Sequence, residues 1–221
     1  MQVGMHEHEL SDRFEYFGKT HDRRKLAFET ICAAGEDANI LHHPISQQEK
    51  AIQNGELILF DLGYQHNGYC ADISRTYPIN GKFNDKQRKV YKAVLTCNKK
   101  VIEYARPGLK ITDLQEYAKK ILKEECVNAG LLKEEDDITK YYIHNVSHFL
   151  GLDTHDVGDR TQPLVAGNVI TVEPGLYFVG EGIGVRIEDD VLITENGSVC
   201  LSKGIKKEIE DVEKILSTRW K

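Results

Sequence analysis

An α+β fold, with two pseudo-symmetric halves around an antiparallel sheet, is what this sequence predicts. Three observations predict it. Two stretches read as strand hairpins: "GELILFDLGYQHNGYCADISRTYPI" (55–79) and "NVITVEPGLYFVGEGIGVRIEDDVLITE" (168–195). Helical periodicity precedes the second hairpin. The stretch "VGMHEHEL" (3–10) weakly echoes "PGLKITDL" (107–114), and a helix and then a hairpin follow each. Two αββ-like units wrapped on one sheet would account for all three.

The elements follow in chain order. "ELSDRFEYFG" (9–18) reads as a short amphipathic helix ending at Gly18. Residues 23–34 are ambiguous. Asn67-Gly68 is a strong two-residue hairpin turn, because both positions of a type I′ turn need positive φ. From Asn84 to about Ala105 the apolar positions Val90, Val94, Leu95, Val101 and Ile102 fit a long helix that stops before Pro107. Thr112 to Glu125 reads as a second helix, with Thr112 as N-cap and Gln115 three residues on. The tail "KKEIEDVEKILSTRW" (206–220) reads as a terminal helix or a frayed extension. No Pro/Gly/Ser-rich linker divides the chain, so residues 1–221 are expected to form one domain.

Bulk properties exclude several function classes. The chain has 221 residues, 40% hydrophobic and 29% charged, with formal net charge −6. An acidic balance argues against general nucleic-acid binding, which calls for a basic face. No run approaches the roughly 18 apolar residues of a membrane span. No N-terminal stretch has the order of a secretory signal, so a cytoplasmic protein is expected. Five widely spaced cysteines form no CxxC pair, which points to reduced thiols rather than a disulfide framework or thiolate zinc site.

The acids of the hairpins carry the chemistry. With the first turn at Asn67-Gly68, opposed residues sum to 135, so Asp61 faces Ser74. Asp72 lies two residues from Ser74, which makes Asp61 and Asp72 diagonal neighbours on one face, roughly 7 Å apart at the backbone. Centring the second loop on Gly180-Glu181 places Glu173 opposite Glu188, and a one-residue slip would separate them. Four carboxylates on one pocket cannot all ionise alone. Two divalent cations remove that conflict, with His148 as candidate nitrogen donor. Oxygen ligands favour manganese or magnesium, and a histidine tilts the choice towards manganese, cobalt or zinc. Acidic residues number 35, so any one of these acids alone would read as a surface charge. Four at matched hairpin positions do not.

Four segments, "DLGYQHNGYCADISRTYP", "SHFLGLDTHDVG", "VITVEPGLYF" and "GIGVRIEDDVLIT", resemble in this order the motifs of the pita-bread (creatinase/aminopeptidase) metallopeptidases. Within that family the resemblance is greatest to aminopeptidase P, with Xaa-Pro dipeptidase (prolidase) next. It runs from about Gly4 to Thr194. The resemblance implies a pita-bread fold and a dinuclear metal centre on Asp61, Asp72, His148, Glu173 and Glu188, with Asp72 and Glu188 bridging. It implies two divalent ions, manganese being usual and cobalt or zinc alternatives. His42 matches a histidine lining the scissile site, and His43 is its alternate because the loop from there to Asp61 is about two residues longer than usual in the family. His155 matches the histidine that contacts the reacting carbonyl, and His144 a third pocket histidine. Arg186, two residues before Glu188, matches a family arginine that buttresses the ligands or meets substrate. Glu173 is the implied proton acceptor.

The implied function is removal of an N-terminal residue preceding proline. Xaa-Pro dipeptidase is the alternative, and a non-catalytic peptide- or protein-binding module of the same fold, or an incomplete fragment, is the third reading. Methionine aminopeptidase shares the ligand order, but "SHFLGLDTHD" and "GVRIEDD" resemble the proline-specific branch more. The sequence departs from the family in two ways. A helix that family members carry before the "GMHE" position, and the N-terminal domain of longer relatives, have no counterpart, so the chain reads as a fragment, a minimal version, or one that covers the first half by association, a homo-oligomer being one such form. Asn145 also follows His144 where the family commonly has glycine. "HEHEL" (6–10) begins like a zincin motif but has leucine at position 10, so it reads as a helix start with solvated charges. "KKVIEYARPG" and "KGIKKEIED" read as solvated faces.

Overall fold

The computed structural model describes residues 1–21, 24–44, 47 and 49–218. Four helices, α1 (Glu7–His21), α2 (Asp85–Tyr104), α3 (Ile111–Asn128) and α4 (Ile209–Thr218), surround eleven short strands. In the first half β2 (Ile31–Ala34), β3 (Leu57–Leu62) and β6 (Ile73–Pro78) form an antiparallel sheet in the order β2-β3-β6. A smaller sheet, β1-β4-β5, joins β1 (Lys25–Leu26), β4 (Tyr64–His66) and β5 (Tyr69–Cys70). In the second half β7 (Val169–Val172) pairs with β10 (Asp189–Ile193), which pairs with β11 (Ser198–Cys200). The hairpin between them is β8 (Gly175–Phe178) with β9 (Ile183–Arg186).

The two halves repeat in detail. Gly4 (φ 85°) and Gly108 (φ 87°) both take the left-handed turn that precedes a helix. Gly4 donates its N–H to Ile52 and Met5 accepts from Ile52; Gly108 donates to Leu164 and Leu109 accepts from Leu164. The halves meet where β6 runs beside β9. Thr76 Oγ donates to the Arg186 carbonyl and accepts from its N–H, and Glu188 N–H donates to the Ser74 carbonyl.

Both hairpin registers match the sequence expectation. Asp61 pairs with Ser74, Gln65 with Cys70 and His66 with Tyr69, and Asn67 and Gly68 both have positive φ. Gly175–Arg186 and Val172–Asp189 share the register that sets Glu173 against Glu188.

Three helix expectations need correction. Helix α1 runs through Gly18 to His21 rather than ending at the glycine. Gly18 is there for close approach: a Cβ would sit 2.2 Å from the Tyr64 ring. Helix α3 starts one residue before Thr112, and its N-terminus is closed by Asp113 accepting the Lys110 N–H at 2.8 Å. Gln115 is used elsewhere, accepting from Val146 N–H (2.6 Å) and Tyr142 OH (3.1 Å) and so fixing the 142–146 loop. Helix α2 agrees with expectation, with Asn84 and Gln87 as a reciprocal capping box. The tail is helical to Thr218, and Arg219 and Trp220 lie outside the described residues.

The main core lies between α2, α3 and the second-half sheets, where Val90, Val94, Leu114, Leu122, Ile170 and Val191 are fully buried. Each contributes about 1.5–3 kcal/mol of transfer free energy. A smaller core under α1 holds Leu10, Cys32, Ile52 and Ile58. This packing makes a stiff floor for the acids at the strand breaks. Two charges expected in solvent are part of it. Glu7 is fully buried, accepting from Ala34 N–H and paired with His43 at 2.9 Å. Lys207 of "KGIKKEIED" is half-buried and reaches Asp189 at 2.5 Å. Among the described residues no helix is long and apolar enough to cross a membrane. All five cysteines are free thiols.

Candidate metal centre

The site lies where both hairpins lose their ladder. Asp61 is near the end of β3, and Asp72 sits between β5 and β6. Glu173 follows β7, Glu188 falls between β9 and β10, and His148 comes from the loop that leads to β7. At a strand end the backbone turns away, so a side chain can point into the groove without breaking the sheet. That answers why carboxylates interrupt apolar strands here.

The structure brings all five together. His148 Nε2 is 3.3 Å from Asp72 Oδ2 and 3.6 Å from Glu173 Oε1. One ligand atom each of Asp72, His148 and Glu188 lies within 4.8 Å of the other two. Glu188 accepts from Ser74 Oγ at 2.7 Å, and Asp61 accepts from Arg186 Nη2 at 2.6 Å. The Oδ1 atoms of Asp61 and Asp72 are buried with no hydrogen-bond partner.

Electrostatics make this an unstable arrangement without cations. Burial first, then the Asp61 charge, pushes the Asp72 carboxyl up to about 9. Burial raises Glu173 to about 7 and drives Glu188 well above the usual carboxylate range, with Asp72 next among the causes for Glu188. His148 Nδ1 is 2.9 Å from the Phe149 carbonyl, which can only accept, so Nδ1 donates there and Nε2 is the ring nitrogen turned to the carboxylate oxygens. Orphaned oxygens, raised carboxyls and an imidazole nitrogen on one point fit divalent cations, with an oxygen-rich set plus one nitrogen.

Arg186 is a buried cation that bonds a carboxylate of the cluster directly. Its Nε donates to Ser74 Oγ (2.7 Å), Nη1 to Tyr177 OH (3.0 Å) and Nη2 to Asp61. Tyr177 OH in turn donates to His144 Nε2 (2.8 Å), and His144 Nδ1 donates to the Asn145 carbonyl. Both ring nitrogens of His144 are therefore engaged, and burial lowers its pKa to about 3. It lines the site as a neutral ring.

The other histidines divide clearly. His155 packs edge-on to His148 at 4.4 Å between ring centroids and is exposed to the groove. His42 is exposed and lines two adjoining cavities, one of about 200 Å³ and one of about 520 Å³, which share Asp61, Asp72 and His155. His43 is 2% exposed and held by Glu7, so His42 is the one that faces the groove freely.

Sequence reasoning missed Tyr177, Ser74, Asp190 and Arg160. Tyr177 and Ser74 follow from period-two alternation, being on the same faces as Glu173 and Asp72. Asp190 holds the Asp72 N–H at 3.3 Å from 118 residues away, which no local signal reveals. Arg160 lines the smaller cavity beside His144 and Asn145.

Comparison with known proteins shows the family and the fold. The model of metallopeptidase family M24 matches residues 1–195. The chain is 36% identical over 232 residues to the Xaa-Pro aminopeptidase of Escherichia coli, covering 96% of this chain and 52% of that protein. It is 39% identical over 204 residues to the Xaa-Pro dipeptidase of Pyrococcus furiosus, covering 90% and 54%. The structure of E. coli aminopeptidase P with the inhibitor Pro-Leu superimposes with a TM-score of 0.91 at 36% identity, over 98% of this chain and 53% of that one. A zinc-substituted form of that enzyme in complex with product gives the same score. The chain spans about half the length of the curated relatives it matches.

Proposed function

The chain belongs to metallopeptidase family M24 and has its pita-bread fold, and from that premise we propose that it removes the N-terminal residue preceding proline from peptides, using two divalent metal ions held by Asp61, Asp72, His148, Glu173 and Glu188. The observation that supports this most is the meeting of these five side chains on one cavity, around orphaned carboxylate oxygens and an imidazole nitrogen. Manganese suits the donor set, with cobalt or zinc as substitutes. A cytoplasmic setting fits the five free thiols.

Two bound ions supply Lewis acidity and lower the pKa of a water so that it loses a proton near neutral pH. The residues do the rest. Glu173 takes the water's proton and hands it to the proline nitrogen. His155, exposed to the groove beside His148, donates to the oxyanion that develops from the scissile carbonyl. His42 lines the cavities on the scissile side. Arg186 holds Asp61 in position, and His144 walls the pocket as a neutral ring. A tertiary prolyl amide has no N–H to offer, so a pocket of rings rather than backbone acceptors suits it.

Xaa-Pro dipeptidase is the second reading, and Arg160 favours it. Arg160 lines the 200 Å³ cavity, and a guanidinium there suits a terminal carboxylate close to the scissile bond. The test compares an Xaa-Pro dipeptide with an Xaa-Pro-Xaa tripeptide on chelator-stripped protein, with and without added manganese. Manganese-dependent cleavage of the tripeptide is expected. Cleavage of the dipeptide alone moves the assignment to dipeptidase. Cleavage of neither by folded, manganese-loaded protein sinks both.

A further inference from the structure

The glutamates leave the second-half sheet at a break, and the break leaves backbone groups to satisfy. Glu173 N–H turns to the Val146 carbonyl and Glu188 N–H to the Ser74 carbonyl. The carbonyls just before them, Val172 and Ile187, both face α2. One side chain meets both. Asn98, fully buried on α2, donates from Nδ2 to Val172 O at 3.0 Å and to Ile187 O at 3.2 Å. An amide NH2 has two hydrogens, so a single nitrogen spans the two strands and fixes their separation.

Asn98 is itself held. Its Oδ1 accepts from Lys207 Nζ at 2.7 Å, and the same ammonium pairs with Asp189 at 2.5 Å. Asp189 follows Glu188 in the chain and is fully buried. This lysine fixes which way the amide points.

Resting on the metal reading above, we infer that Asn98, clamped by Lys207, is a positioning residue that sets the spacing of Glu173 and Glu188 and hence the site's affinity for its metal ions. It touches neither metal nor substrate. It acts through the two carbonyls that precede the ligands, as outer partners of metal ligands do.

Asn98→Asp tests this closely. It keeps size and the bond to Lys207 but replaces the donor with an acceptor facing two carbonyls. Lys207→Met releases the clamp while Arg75, 2.8 Å from Asp189, still pairs with that buried carboxylate. Chelator-stripped full chain is titrated with manganese by calorimetry, its metal-free melting is recorded, and the di-manganese form is examined by electron paramagnetic resonance. Both variants are expected to weaken manganese binding about tenfold or more. The spin-coupled signal of the ion pair is expected to fade in parallel. A variant that melts lower yet binds both ions like the parent shows a merely structural role and overturns the inference. So does one that matches the parent in every readout. A parent that binds no manganese overturns the inference together with the metal reading.

Discussion

Arg186 Nη2 lies 2.6 Å from Asp61 Oδ2, and that bond crosses the pseudo-symmetry of the fold. Arg186 belongs to β9 in the second half and Asp61 to β3 in the first. Asp61 Oδ1 has no partner, so the arginine leaves one oxygen free while it orients the other. The neighbouring acids together with Tyr177 keep the guanidinium charged despite its burial.

Arg186→Lys should therefore fail as a conservative change. An ammonium is a point charge and cannot meet Asp61, Ser74 and Tyr177 in one planar fork. Activity on an Xaa-Pro tripeptide should drop at least about tenfold with weaker manganese binding. Arg186→Met leaves the acids uncompensated and should cost about 3–5 kcal/mol in metal-free protein, read by urea unfolding. Parental activity in the lysine variant would show that Asp61 needs no fork.

Metal-free protein should lose stability as pH rises. Asp72, Glu173 and Glu188 all have raised pKa values in the folded state. A carboxyl whose folded pKa lies above its unfolded value binds more protons folded than unfolded. Its favourable contribution is complete below the unfolded pKa, about 4, and vanishes as pH climbs through the folded value. For Glu173 that window closes near 7 and for Asp72 near 9. Melting of chelator-stripped protein should fall between pH 5 and 9. Manganese should restore it, with a larger gain at higher pH because the ions need deprotonated ligands. A flat apo profile would contradict the cluster's electrostatics.

His42 and His43 should separate in opposite ways. Removing His43 leaves the fully buried Glu7 without a partner, so His43→Ala should cost about 1–3 kcal/mol in stability. Turnover per folded molecule should stay near parental. His42→Ala should leave melting within about 0.5 kcal/mol and lower the rate, because its ring faces the groove. Rates and melts of the two variants side by side check both statements.

What was legible in the sequence depended on how local the signal was. Asn67-Gly68 fixed the first register because both turn residues need positive φ, and the Asp61–Ser74 pairing followed. The same arithmetic at Gly180-Glu181 set Glu173 opposite Glu188. Glu7 and Lys207 were misread as solvated because their partners, His43 and Asp189, are named by the fold and not by neighbouring sequence. Thr112 looked like a cap since threonine favours that role, yet the backbone entered the helix earlier and Asp113 took the free N–H. Asn98 gave no signal at all, since a polar residue on a helix face reads as solvent-facing until two carbonyls lie over it.

Gly63 joins the sheet to the site, and its replacement should disturb both. It follows Leu62 at the end of β3, two residues after Asp61, and a Cβ there would meet the Ala71 carbonyl oxygen at 1.8 Å. That neighbour is backbone and cannot swing aside. Relief requires the strands to part between residues 61–63 and 71–73, the segment that carries Asp61 and Asp72. Gly63→Ala should then cost about 1–3 kcal/mol or more and weaken manganese binding with it. Gly197→Ala is the matched control, because nothing lies within 4 Å of its added Cβ. That variant should stay within about 0.5 kcal/mol. Equal behaviour of the two in calorimetry and unfolding would mean the strands near Asp61 yield more than their packing implies. A selective loss in Gly63→Ala would tie the metal affinity to the close approach of β3 and the chain entering β6.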